Sequence, residues 1–105
     1  MQEIVEFRAF RGDRRASVYR QHAVDRGAFR RVLETASRRR LPLLASLNDR
    51  RELQKDEARR LAAEVSALQA GADLPELDRD LALIAELARW CARTRGRSWL
   101  RISGG

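Results

Sequence analysis

Between Ile4 and Phe10, Val5, Phe7 and Ala9 fall on one side of an extended chain and Glu6 and Arg8 on the other. Successive side chains of a strand point to opposite faces, so this period of two predicts a strand with one buried face over residues 4–10. RGDRR at 11–15, with Gly12-Asp13 at its tip, predicts a turn or exposed loop. Residues 16–24 are ambiguous: Ala16, Val18 and Arg20 alternate and admit a short strand. After Asp25, a residue suited to an N-cap, the period changes. Phe29, Val32, Leu33 and Ala36 recur at intervals of three and four, which predicts a helix with one apolar stripe. Pro42 ends it, because proline has no amide hydrogen and disfavours helical geometry at residue 41.

LPLLASL (41–47) is the most apolar short segment, and its length admits either a buried strand or a tight linker on the core. Asn48-Asp49 predicts a turn. From about Asp56, Ala58, Leu61, Ala62, Val65 and Leu68 form a second helical stripe, ended by Gly71. Leu74-Pro75 leads into a third helix, with Glu76, Asp78 and Asp80 at the positive end of its dipole. Leu77, Leu81, Ile84, Ala88 and Cys91 trace one face of this helix, Leu87 and Trp90 widen it, and Gly96 supplies the stop. WLRI (99–102) predicts a final strand. The expected fold is α+β, a single domain over 1–105: three helices packed on a small antiparallel sheet containing the N- and C-terminal strands.

Composition narrows the setting. The 105 residues are enough for one modest core, and an apolar fraction of 44% argues against disorder. Aromatic residues are few, so leucine and alanine carry the packing, which favours helices. The single cysteine excludes an intrachain disulfide and any multi-cysteine metal site. No apolar run approaches 18 residues, and the start lacks a basic segment followed by an apolar one. The expectation is a cytoplasmic protein with no membrane partner.

Candidate chemistry is sparse. His22 is the only histidine and could act as acid or base near neutrality, given a serine or Cys91 as nucleophile and an orienting carboxylate. A small enzyme using His22 or Cys91 is therefore one reading, with no catalytic residue assigned. Cys91 lies on an apolar helical face, where cysteine behaves as a small hydrophobe. One histidine and one cysteine cannot form a zinc tetrad, and the carboxylates of Asp73, Glu76, Asp78 and Asp80 are accounted for by the helix dipole. No metal and no cofactor are expected.

Charge changes the picture more. Net charge is +7, and Lys55 is the only lysine among 22 basic residues, a bias that either coding composition or guanidinium chemistry would produce. Residues 8–40 hold eleven arginines against Asp13, Asp25 and Glu34, whereas residues 51–105 are nearly balanced. If Arg11, Arg14, Arg15, Arg30, Arg31 and Arg38 converge on one face, they would attract nucleic acid or another polyanion. The leading reading is nevertheless a protein-interaction module or homodimer. Leu83, Leu87 and Trp90 extend beyond one stripe of the third helix, and such a width calls for a cover.

The run from LPLLASL to WLRISG resembles a group of small uncharacterised actinobacterial proteins. In that group an LPLL segment is followed by two amphipathic helices, the second ending near a cysteine, and an aromatic-LRxxG C-terminal strand. The matching pieces here are Leu41 to Leu47, Leu53 to Leu68, Leu77 to Cys91 and Trp99 to Gly104. The resemblance implies a shared fold and a bacterial cytosolic setting. It carries over no activity and no functional residue.

Overall fold

The computed structural model describes residues 3–12, 17–48 and 50–104. The elements in chain order are β1 (Ile4–Arg11), β2 (Ser17–Asp25), α1 (Arg26–Arg38), α2 (Pro42–Ala45), β3 (Arg50–Leu53), α3 (Lys55–Ala70), α4 (Asp78–Arg93) and β4 (Ser98–Gly104). One 3-10 turn, Pro75–Leu77, leads into α4. The strands form one antiparallel sheet in the order β2-β1-β4-β3. The fold is α+β, with helices on a sheet that holds the N- and C-terminal strands side by side.

Strand parity explains the core. Val5, Phe7 and Ala9 are buried on one face of β1, and Leu100 and Ile102 lie on the same face of β4 beside them. Against this face α4 lies over β1 and β2, while α3 lies over β4 and β3. The stripe Ala58, Leu61, Ala62, Val65 and Leu68 is buried, as is Leu77, Leu81, Ile84, Ala88 and Cys91. Phe29 of α1 meets Phe7 edge to face, with ring centroids 5.9 Å apart. Asp25 caps α1, its Oδ2 accepting the Ala28 amide at 3.1 Å.

Four local expectations change. Of the ambiguous residues 16–24, those from Ser17 on belong to a full strand, β2, whose pairing with β1 shifts register between Ala9 and Phe10, and residue 16 lies outside the described residues. Asp13, at the expected turn tip, and Asp49 lie outside the described residues. Arg50–Leu53 is a strand that its charge conceals. Leu53 enters the core, while Glu52 pairs on the other face with Arg101 directly opposite, at 2.9 and 3.1 Å. Gly71 is right-handed at φ −71°, and the left-handed residue after α3 is Ala72 at φ 55°.

LPLLASL is neither strand nor plain linker but a one-turn helix. Arg40 turns the chain with φ 58°, and Pro42 then occupies the first turn of α2, where its missing amide hydrogen costs nothing. The free amides of Leu43 and Leu44 donate to the Glu64 carboxylate of α3, at 3.4 and 2.8 Å. A distant carboxylate thus does the work of a local cap, and Leu43, Leu44 and Leu47 are thereby seated in the core. Replacing Glu64 with alanine should cost roughly 1–2 kcal/mol of stability in urea denaturation. Glu64→Gln keeps one acceptor and should lose less; an equal loss for both would show that packing rather than capping holds α2.

Candidate functional site

Among the described residues of the arginine-rich first third, Arg8, Arg20, Arg26, Arg31 and Arg39 meet carboxylates. Arg11 ends β1, whereas α1 starts beside Ile4 at the other end of the ladder, about 23 Å away along the strand. Arg14 and Arg15 lie outside the described residues. Arg30, Arg31 and Arg38 are exposed on α1, but Arg31 binds Glu76 at 2.7 Å and Arg38 donates to Thr35 Oγ1 at 3.2 Å. The same pattern extends around them. Arg39 pairs with Asp73 at 2.5 Å, Arg20 with Glu86, and His22 Nε2 lies 2.7 Å from Asp80 Oδ1. The acidic stretch entering α4 is therefore docked on the basic stretch from β2 to α1. Exposed ion pairs add little stability singly, but these partners neutralise much of the charge that residues 8–40 carry in the sequence.

Leu87, expected on a solvent-facing interaction surface, is 1% exposed and lies in the core. The reason is that α4 packs against α3 as well as β1, β2 and β4, so a broad face of it is covered. Leu83 and Trp90 flank it and are half-buried, Trp90 packing against the core. These three residues do not form a continuous exposed face.

His22 has its carboxylate but lacks a nucleophile: among the described residues, no serine or cysteine side chain hydrogen-bonds to it. Cys91 is fully buried on α4. Its thiol lies 3.6 Å from Ser98 Oγ, which itself donates to the Cys91 carbonyl at 2.7 Å. Burial pushes the Cys91 thiol pKa up, more than the Ser98 contact and the nearby Lys55 ammonium pull it down. Among the described residues no group of three metal-ligating side chains converges.

The open face of the sheet carries an aromatic pair that the alternation alone conceals. Phe10 and Trp99, opposite each other on β1 and β4, stack at 5.3 Å with an interplanar angle of 7°. The Arg101 guanidinium lies 4.9 Å from the Phe10 ring centroid and that of Arg97 5.2 Å from the Trp99 centroid. At 7% and 8% exposure the rings are covered and offer no stacking platform for bases.

A different surface is both open and apolar. Helices α3 and α4 run antiparallel, and Ala58, Ala62, Ala85 and Ala88 are buried small residues on these neighbouring elements. Such side chains let helices approach closely and leave little bulk to fill the solvent side. There a groove of about 350 Å³ is lined by Arg59, Ala62, Ala63 and Ser66 of α3 and Arg89, Ala92 and Arg93 of α4. Arg89 donates to Ser66 Oγ at 3.4 Å, joining the two walls. Arg59 holds only Asp56, a carboxylate 95% exposed, at 3.3 Å. The lining is alanine methyl groups, the Ser66 side chain and the predominantly apolar stems of three arginines, with no acidic residue among them. Of these groove residues the sequence marks only Ala62, as part of the apolar stripe of α3; an opening between two helices leaves no periodic signal in either one.

Compared with protein-family models, curated proteins and solved structures, the chain matches none of them.

The burial of Cys91 yields a direct test. Because its folded pKa lies above the ordinary thiol value, the thiolate is scarce at neutral pH and the sulfur has no path to solvent. Alkylation of the native protein by iodoacetamide should therefore be at least about a hundredfold slower than in denaturant. Rapid native labelling, read by intact mass, would restore Cys91 as a reactive group.

Proposed function

We propose that this chain is a non-enzymatic protein-interaction module that seats an apolar segment of a partner in the groove between α3 and α4. The observation that supports it is the chemistry of that groove: an alanine floor open to water between two rigid helices. Grooves of this kind suit the apolar face of a binding segment, and the surrounding polar rim confers orientation. The reading keeps the interaction module expected from the sequence but moves its surface from Leu83, Leu87 and Trp90 to Ala62, Ala63 and Ala92. A bacterial cytosolic setting remains part of the proposal, carried by the resemblance of residues 41–104.

Polyanion binding through residues 8–40 is the weaker reading. Among the described residues it would rest on Arg30 and Arg38, since Arg31 holds Glu76 and Arg11 stands at the far end of β1. An enzymatic reading would need a nucleophile beside His22. Neither has support comparable to the open groove.

Selection of phage-displayed random peptides on the immobilised full chain tests the proposal. Ala63 is exposed, so Ala63→Trp fills the groove without entering the core. Enriched peptides should bind this variant at least about tenfold more weakly than the parent protein, a loss of about 1.4 kcal/mol. Unchanged binding to Ala63→Trp, or to Ala92→Trp, would place the binding surface elsewhere and sink the reading.

A further inference from the structure

Resting on that reading, we infer that the occupant of the α3–α4 groove is an acidic amphipathic helix of another protein. Its apolar side chains sit on the alanine floor, and its carboxylates face Arg59, Arg89 and Arg93. The sign of the partner follows from the rim. Three arginines and no acidic residue line the groove, and among the described residues the contacts of their guanidinium groups are slight: an exposed Asp56 and one long bond to Ser66. A basic or neutral segment would leave these cations facing apolar surface, whereas flanking glutamates meet them with charge-assisted hydrogen bonds.

The conformation follows from the floor. An alanine floor has no sheet edge with which an extended segment could pair, so a strand would bring unpaired amides and carbonyls onto methyl groups. A helix satisfies those groups within itself. Its side chains also repeat at the one-turn interval that separates Arg89 from Arg93, about 6 Å. Nucleic acid fits poorly for a related reason: the floor offers phosphate positions at the rim but no aromatic surface and no base-edge donors between them.

A second copy of this chain does not supply such a helix. On α3, Glu57 holds Arg51 and the Gln54 amide, and Glu64 holds α2. On α4, Asp80 faces His22 and Glu86 holds Arg20. The carboxylates along the middle of both helices are thus committed within the protomer; Asp56 and Asp78 stay exposed but lie in the first turns, and the leucine stripes of α3 and α4 are in the core.

The test uses the full chain and three synthetic helical peptides of about 20 residues, a length that forms several turns. All share leucines at helical spacing; the flanking positions carry glutamate, glutamine or lysine. Fluorescence anisotropy should rank affinity as glutamate, then glutamine, then lysine, with binding of the first weakened several-fold between about 50 and 300 mM salt. Arg89→Glu combined with Arg93→Glu should lower affinity for the glutamate peptide by about tenfold or more and raise it for the lysine peptide. Equal affinity for the glutamate and glutamine peptides, with Ala63→Trp still abolishing both, overturns the acidic partner and leaves the groove reading standing. Failure of all three peptides to bind, or binding indifferent to Ala63→Trp, removes the groove reading itself. Self-association abolished by Ala63→Trp in sedimentation velocity, or displacement of the glutamate peptide by an equal concentration of a single-stranded oligonucleotide, also overturns the inference.

Discussion

Phe7 stands opposite Ile102 and Ala9 opposite Leu100, so the apolar sides of the first and last strands merge into one surface. That register is set by burial: a slip of one residue would turn the apolar set of a whole strand to the wrong face. Because only one side of the sheet is apolar in this way, α3 and α4 both lie on it, each bringing its leucine-rich stripe inward. Their opposite sides necessarily face water. The groove lies on that outer side, between residues of α3 and α4.

Charge is organised by the same packing. The chain carries a surplus of cations, yet most carboxylates of its second half are engaged within the molecule. Asp73, Glu76, Asp80 and Glu86 meet Arg39, Arg31, His22 and Arg20, Glu52 meets Arg101, Glu57 meets Arg51, and Glu64 serves the amides of α2. What remains outward is guanidinium. In the sequence the positive region is residues 8–40, but in the fold five of its arginines meet carboxylates. The arginines left beside an apolar opening come from α3 and α4, whose sequence is nearly neutral. Net charge along a chain therefore does not by itself say which cations stay uncompensated once elements pack together.

Much of the fold was legible. Period-two alternation located β1, spacing of three and four located α1, α3 and α4, and Asp25 marked where α1 begins. Other elements were hidden for identifiable reasons. β3 consists of Arg50, Arg51, Glu52 and Leu53, where a cross-strand ion pair and one core leucine replace apolar alternation. α2 is capped by a carboxylate twenty residues away in the chain. The outward aromatic pair depends on Phe10 and Trp99 being opposite, a relation across the sheet. The α4 stripe is as broad as its sequence indicates, but breadth does not mean exposure: Leu87 is buried.

The amino-acid sequence by itself determined which segments are helix or strand and which side of each is apolar, because those properties repeat along a single element. Tertiary structure alone decided which cations meet anions, that Leu87 is inside, and that alanines of two helices leave an opening between arginines. The physical reason is that helical and strand periods are local, whereas ion pairing, exposure and concavity depend on distances between elements that only the packed chain defines.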